Sequence, residues 1–159
     1  DEDKALEYNQ QYMDKNPNPA PTDFMKLAEI YVNKAKKDPA KKIENIDKAI
    51  GVYAKLSEKY PTLKTFAKLQ EGNTAFQNEL DDKAIAAYTE VINELEAKQC
   101  DEDELSYLKT SYQYMGFIYT YDKQDFNTAK PYWDKLLKLD PQNKLANDAY
   151  EKAGLKPGE

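Results

Sequence analysis

Apolar residues recur at intervals of three and four along almost the whole chain, and this spacing is the feature that most restricts its fold. Strand-like alternation over four or more residues is almost absent. Prolines interrupt the pattern, for example after Tyr60 and after Asp140, because proline cannot continue a helix. The spacing predicts an all-α fold with helices near 3–15, 22–36, 42–59, 62–78, 82–98, 103–122, 127–139 and 142–153.

Pro131 lies inside the predicted helix 127–139. We expect Asn127 to be the N-cap of that helix. Pro131 would then fall within the first four positions, whose N–H groups have no partner inside the helix. The sequence therefore predicts that Pro131 is tolerated without a break.

Composition removes several classes of chemistry. The 159 residues include no His, and all 23 basic residues are Lys, so the chain has neither an imidazole base or ligand nor the planar guanidinium that binds phosphates. A net charge of −6 argues against a nucleic-acid partner. The five glycines form no nucleotide-binding loop, and the acidic runs at 1–3 and 101–104 lack the pattern of a calcium loop. We expect no catalytic residue, no cofactor and no bound metal.

Cys100 is the single cysteine and cannot form an internal disulfide. The acidic residues that follow it should raise the pKa of its thiol, which predicts an inert side chain. The chain also has no apolar run close to the roughly 20 residues that a membrane-spanning helix needs. We therefore expect no membrane insertion.

Three intervals of equal length indicate an internal repeat: Ala5 to Pro17, Ala49 to Pro61 and Ala129 to Pro141 are each twelve residues. Three alanines are each followed, four positions later, by an aromatic residue. These pairs are Ala49 and Tyr53, Ala84 and Tyr88, and Ala129 and Trp133. A second pattern, which is an aromatic, then an apolar and a small residue, then Tyr, occurs twice, as Phe24, Leu27-Ala28, Tyr31 and as Tyr112, Met115-Gly116, Tyr119.

These two patterns resemble the second and first helices of the tetratricopeptide repeat (TPR). The resemblance implies a right-handed α-α superhelix of antiparallel helix pairs, in which Gly or Ala lets two helices approach closely and aromatics fill the remaining space. It divides a single domain, 1–159, into a half repeat 1–20, repeats 21–61, 62–98 and 99–141, and a capping helix 142–154. Because the pattern starts in mid-repeat, we expect the C-terminal part of a longer bacterial TPR protein.

The chain departs from the family pattern in two ways. About nine extra residues separate Ala28 from Ala49, which predicts long turns or helix extensions. In the middle repeat the family's aromatic and Leu positions fall on Lys68 and Glu71. A register shifted by one residue is the alternative for this repeat, and it makes Phe66, Leu69 and Phe76 core residues.

The TPR resemblance implies a non-enzymatic scaffold that binds a peptide or a partner protein segment in a concave, partly apolar groove. The groove is expected at first-helix positions that lie between the core positions. These positions are Met25, Glu29, Phe66, Leu69, Asn73, Phe76, Gln113, Phe117 and Tyr121. The Lys and Asn residues with which some family members hold a terminal carboxylate are missing at the corresponding positions, which look like Met25, Glu29, Gln70, Thr110 and Tyr114.

Two other functions stay open from the sequence. The array could be a structural spacer or an oligomerisation module, with self-association through the N-terminal helix and its residues Ala5, Leu6 and Tyr12. A carboxylate-only enzyme is disfavoured, because a short stack of helix pairs offers no deep pocket that would desolvate an acid. The Lys-, Asn- and Tyr-rich composition favours a bacterial periplasm or cell envelope, with the cytoplasm as the alternative.

The basic cluster around Pro39 and the tyrosines between 107 and 121 could each contact a ligand. We interpret the lysines as a solvated turn. Of the tyrosines, we assign Tyr112 and Tyr119 to the repeat core, which leaves Tyr114 and Tyr121 for a ligand.

Overall fold

The computed structural model describes residues 2–158, and this range contains eight α-helices and no strand. Residues 1 and 159, at the ends of the expected domain, lie outside the described range. The helices are α1 Glu2–Lys15, α2 Pro21–Lys37, α3 Lys42–Lys59, α4 Lys64–Gln77, α5 Asp81–Glu96, α6 Glu102–Phe117, α7 Phe126–Leu139 and α8 Lys144–Ala153. The all-α prediction is confirmed, with each predicted helix present.

The chain forms two compact units, and the division falls inside α5, between Ala84 and Ile85. In unit 1, α2 packs against α1 and α3, and α3 packs against α4. Its core is built from α2 and α3, with Leu6 and Met13 of α1 packed against it. In unit 2, α6 and α7 form a pair, and α8 contacts both of them. The handedness of a superhelix and the division into repeats stay predictions.

The small residues that mark the repeat pattern lie in the core, as the sequence predicts. Ala28, Ala49, Ala84 and Ala129 are completely buried. Gly116 shows why a small residue is needed, because a Cβ atom at this position would lie 2.5 Å from Cε2 of Trp133. Trp133 is completely buried, and its indole Nε1–H donates a hydrogen bond of 2.9 Å to Oγ1 of Thr120. The α6–α7 contact therefore depends on a glycine facing a tryptophan.

The aromatic positions follow the prediction with one exception. Tyr31, Tyr53 and Tyr88 are buried, like Trp133. Tyr119 is only half-buried, and its ring stacks on that of Tyr132 with 6.1 Å between the centroids. The expectation that Tyr119 is a buried core residue is wrong, because it lies within the π-helical turn Ile118–Asp122 and packs on a ring that is itself only half-buried.

The nine extra residues between Ala28 and Ala49 lengthen both helices of the first pair. α2 continues for nine residues after Ala28, whereas α4 continues for five after Gly72. α3 begins seven residues before Ala49, whereas α5 begins three before Ala84. A 3₁₀ turn at Pro39–Lys41 joins α2 to α3. The insertion is therefore mostly additional helix, one of the two alternatives that the sequence predicts.

A π-helical turn, Ile118–Asp122, explains why thirteen residues rather than twelve separate Gly116 from Ala129. The N–H of Lys123 donates to the carbonyl of Ile118, five residues earlier, over 2.9 Å. A π-turn accommodates one more residue than an α-helical turn, so the helix pair keeps its contact despite the insertion. Sequence periodicity alone predicts an uninterrupted helix to residue 122 and misses this turn.

The sequence predicts Asn127 as the N-cap of α7, but the N-cap is Asp125. The carboxylate of Asp125 accepts from the N–H of Thr128 over 3.1 Å and from the Thr128 hydroxyl over 2.6 Å. Pro131 consequently lies at the sixth helical position, inside the helix, where it leaves the carbonyl of Asn127 without its usual donor. Pro131 and Asn127 are both exposed, so water can satisfy that carbonyl and the helix continues.

The middle repeat buries residues that belong to both of the registers that the sequence leaves open, since Leu69 is buried as well as Gly72 and Glu71. Gly72 is buried, and Glu71, at the position of the family's Leu, is only 7% exposed. A carboxylate oxygen of Glu71 lies 2.8 Å from Nζ of Lys68. A charge pair within α4 thus takes the place of the aromatic and Leu residues in the other repeats, which is why the apolar pattern is weakest here.

Candidate partner-binding surface

The predicted groove residues fall in both units, and each unit presents its own patch. Unit 2 contains Gln113, Phe117 and Tyr121, and unit 1 contains the other six. The three unit 2 residues follow each other at intervals of four along α6 and the π-turn, so they lie on one side of this segment.

Phe117 and Tyr121 form the aromatic part of the unit 2 patch. Their ring centroids are 4.8 Å apart, with the planes tilted by 43°, and both side chains are half-buried. The ammonium of Lys152, on α8, lies 4.6 Å from the centroid of the Tyr121 ring, within the range of a cation–π interaction. This arrangement holds the two rings in place while part of each remains accessible.

A cavity of about 410 Å³ opens beside Tyr121. Phe126 and Thr120 line it from the side of α7 and the π-turn, and Lys152 and Ala149 line it from α8. Phe126 also packs edge-on against the buried Tyr150, with 5.4 Å between the centroids. Phe126 and Lys152 are not apparent from the sequence, because the predicted α7 begins after Phe126 and α8 is predicted only to cap the array.

Gln113 joins the patch to the start of α8. Its side-chain oxygen accepts a hydrogen bond of 3.2 Å from the amide of Asn143, which is the N-cap of α8. Oδ1 of Asn143 accepts from the N–H of Ala146 over 3.1 Å. Gln113 therefore helps to fix α8 against α6 and is half-buried.

Tyr114, the other tyrosine that the sequence leaves for a ligand, packs against α5. Its ring stacks on that of the completely buried Tyr88, with centroids 5.6 Å apart and an angle of 23° between the planes. Tyr114 is half-buried, and this contact assigns it to the packing between α5 and α6. Of the two tyrosines left for a ligand, Tyr121 alone belongs to the patch.

The unit 1 patch is weaker. Met25, 39% exposed, and Glu29 lie on the exposed side of α2. Phe66, Asn73 and Phe76 of α4 are half-buried, and Phe66 packs against the unit 1 core. Leu69 is only 5% exposed and belongs to the core of unit 1, so its expected place in an open groove is wrong. The reason is that α4 buries an additional helix face between Thr65 and Ala75.

A network of polar side chains joins α6 to α5 and α7 at Tyr112, next to the unit 2 patch residue Gln113. The hydroxyl of Tyr112 donates to Oε1 of Glu96 over 2.6 Å, and Nζ of Lys135 lies 2.7 Å from the same oxygen. Partial burial acts to raise the pKa of Glu96, but the hydrogen bonds from Lys135 and Tyr112 outweigh it and leave the pKa lowered. Glu96 is thus held ionised between α5, α6 and α7.

The same arrangement recurs between α7 and α8. The hydroxyl of Tyr150 donates to Asp134, and Nζ of Lys130 lies 3.1 Å from the other oxygen of that carboxylate. In both places the lysine ammonium is also 5.7 Å from the centroid of the tyrosine ring. We assign both networks a structural role, because in each a tyrosine hydroxyl binds a carboxylate on a neighbouring helix and a lysine ammonium pairs with that carboxylate.

Residues 2–158 contain no group of three or more Cys, Asp or Glu side chains that could hold a metal ion. Burial, followed by the negative charge of Glu104, raises the pKa of the Cys100 thiol, which agrees with the predicted inert side chain. Over the same range, no helix combines the length and the hydropathy that crossing a membrane requires.

No protein-family model matches the chain, and no curated protein matches it either. Among solved structures it is similar to the C-terminal part of a TPR repeat-containing protein from Cytophaga hutchinsonii, with a TM-score of 0.68 and 21% sequence identity. The match covers 94% of this chain and 54% of the other. The chain has a TPR-like fold. It spans about half the length of the matched structure, and at this identity the likeness concerns the fold alone.

Proposed function

We propose that this chain is a non-enzymatic scaffold that binds a protein or peptide segment through side chains on its first helices. The observation that carries the proposal is the Phe117–Tyr121 pair, whose rings pack on each other, stay partly exposed and, at Tyr121, border a cavity. Aromatic side chains that are held in place by neighbours are typical anchors of protein interfaces. A TPR-like fold is consistent with such a role.

The ligand that suits the patch is an extended or helical segment with apolar side chains. Phe117 and Tyr121 supply apolar surface, the cavity beside Tyr121 has room for a side chain, and Lys152 adds one positive charge. Binding would then depend on a few buried anchors, with a small contribution from charge. The first-helix surface of unit 1, with Met25 and Glu29, is a separate candidate contact for such a segment.

The proposal is tested by isolating the protein that co-purifies with the chain and measuring its affinity by calorimetry. Phe117→Ala should weaken binding by about 1–3 kcal/mol, because the anchor is lost. Tyr8→Ala is the control, since it removes an aromatic that is 72% exposed on α1, far along the chain from the patch. Equal affinity for wild type and Phe117→Ala, with both proteins folded by circular dichroism, would contradict the proposal.

A second candidate, self-association through α1, is favoured by the exposure of that helix. Ala5 is exposed, Tyr12 is 42% exposed, and Leu6 is only half-buried. Exposed apolar side chains on one helix are a common cause of association between copies. Sedimentation equilibrium of wild type and of a Tyr8→Ser, Tyr12→Ser variant tests it; a wild type that stays monomeric at millimolar concentration would exclude it.

A further inference from the structure

Unit 1 contains a groove that the sequence analysis did not anticipate. It runs between α1 and α3, and side chains of α2 form its floor. A cavity of about 730 Å³ occupies the half of the groove near the end of α1. Its floor is apolar, since it consists of Phe24, Leu27 and Tyr31. We call this cavity the α1–α3 groove.

The α1–α3 groove is distinct from the patch on the first helices. Successive helical residues are separated by about 100° around the axis. Phe24, Leu27 and Tyr31 therefore point to one side of α2, and Met25 and Glu29 point to the other. A segment in the α1–α3 groove would leave the proposed first-helix surface free.

Gly51 is the most informative residue of the groove. It lies in the interior of α3, where glycine is less favourable than alanine because of its backbone entropy. Close packing does not require it, because a Cβ atom at this position would have nothing within 4 Å. Gly51 also lines the cavity. The missing side chain thus leaves open space in the wall of the groove, next to the apolar floor.

Positive charge accompanies this space. Lys48, Lys55 and Lys59 line the α1–α3 groove from α3, and Asp14 is the acidic residue that lines it from α1. The rest of the chain is acidic, since the net charge is −6. The groove is therefore an electropositive position on an acidic protein, which favours an anionic partner.

The three lysines are not equally engaged. Nζ of Lys59 donates to the carbonyl of Pro17 over 2.7 Å, and Nζ of Lys48 lies 2.5 Å from Glu44. Lys55 is exposed and forms no hydrogen bond or ion pair within residues 2–158. Lys55 is four residues after Gly51, so its ammonium stands on the same side of α3 as the open space.

We propose that the α1–α3 groove binds an acidic segment of a partner protein, which inserts one apolar side chain beside Gly51 and places a carboxylate near Lys55. The apolar floor and the space at Gly51 account for the anchor, and the lysines of α3 account for the acidic residues around it. This site is independent of the first-helix surface and can hold even if that proposal fails.

The probe is an acetylated, amidated seven-residue peptide of Glu and Asp with Leu at its centre, and binding is followed by NMR chemical shifts of backbone amides. Two further peptides are controls: one with Ala in place of Leu, and one with Lys in place of every acid. We expect the acidic Leu peptide to shift the amides around Gly51 and Leu27. The Ala peptide should bind at least fivefold more weakly, and the Lys peptide should not bind.

Three variants locate the site. Gly51→Leu fills the open space and should weaken binding at least tenfold while raising the melting temperature, so loss of binding cannot be ascribed to unfolding. Lys55→Glu should weaken binding about fivefold, whereas Lys26→Glu, on an exposed part of α2 outside the groove, should not. Phe117→Ala should leave binding unchanged.

The proposal is overturned if the acidic Leu peptide does not bind, if the Lys peptide binds equally well, or if Gly51→Leu leaves affinity unchanged. If Phe117→Ala is the one variant that loses binding, the peptide binds at the unit 2 patch, and the proposal is also overturned.

Discussion

Single residues set the distance between helices in this protein, and Gly116 shows this most directly. The Cβ that any other residue would bring lies 2.5–2.8 Å from three atoms of the Trp133 indole. The indole cannot move away easily, because it is completely buried and its N–H is bonded to Thr120. Gly116 and Trp133 therefore form one packing unit, in which the size of each residue depends on the other.

A double-mutant cycle measures this dependence. Gly116→Ala should destabilise the protein by about 1–3 kcal/mol, since the added methyl group overpacks the core. In a Trp133→Leu background the same substitution should cost much less, because the clashing ring atoms are gone, and the coupling energy should exceed about 1 kcal/mol. Urea denaturation of the four proteins gives these free energies.

Gly51→Ala is the matched control for this cycle. Gly51 is also inside a helix, but its Cβ position is open, so the alanine should stabilise the protein by about 0.5–1 kcal/mol. Additive effects of Gly116→Ala and Trp133→Leu would show that the two residues do not pack as described.

At the scale of the helices, periodicity and proline placement predict the elements well but not their irregularities. The stripe that ends before Pro61 becomes α3, which ends at Lys59, because the apolar spacing and the helix stop agree. The π-turn after Phe117 is missed by periodicity, because the chain stays helical through Asp122 and the one sign of the extra residue is the interval of thirteen rather than twelve residues between Gly116 and Ala129. The second residue after the turn, Gln124, has a φ of 53°, a conformation that a Gln at this position does not predict.

The candidate surfaces were predictable only where residues follow helical spacing along the chain. Phe117 and Tyr121 lie on regular helix spacing, so their side of α6 can be read from the sequence. Leu69 could not be assigned, because Glu71 and Lys68 occupy positions where apolar residues would fix the register. The α1–α3 groove depends on which helices are neighbours in space and on a glycine without a partner, and spacing along the chain encodes neither.

Glu96 of α5 contacts Tyr112 of α6 and Lys135 of α7, and the contribution of these contacts to the free energy of unfolding should depend on pH. Its pKa in the folded protein is below the ordinary value of 4.5, so its contribution is complete above about pH 4.5 and is lost as the pH falls through the folded pKa. Glu96→Gln should therefore be less stable than wild type at pH 7, and the difference should shrink in acid. Urea midpoints at pH 7 and pH 3 measure it.

Glu58→Gln is the control for this titration, since Glu58 is exposed on α3. It should differ little from wild type at either pH. A Glu96→Gln deficit that stays constant between pH 7 and pH 3 would mean that the carboxylate charge does not contribute to the contacts of Glu96.

At the scale of the whole molecule, one pattern of a small residue and an aromatic, four positions apart, recurs in α3, α5 and α7. Tyr53 represents the pattern in unit 1, and Tyr88 and Trp133 represent it in unit 2. The TPR-like fold follows from this repetition and from the first helices that pack against it. Elsewhere the sequence varies, with helix extensions in one pair and a buried charge pair in another.

The measurement that tests this account most directly is the free energy of unfolding of three variants, Tyr53→Ala, Tyr88→Ala and Trp133→Ala, each by urea denaturation. Each should lose about 3–5 kcal/mol, as expected when a large buried aromatic is replaced by alanine. Tyr8→Ala, which removes a mostly exposed ring, should stay within about 0.5 kcal/mol of wild type. A loss below about 1 kcal/mol at any of the three positions would contradict the common register.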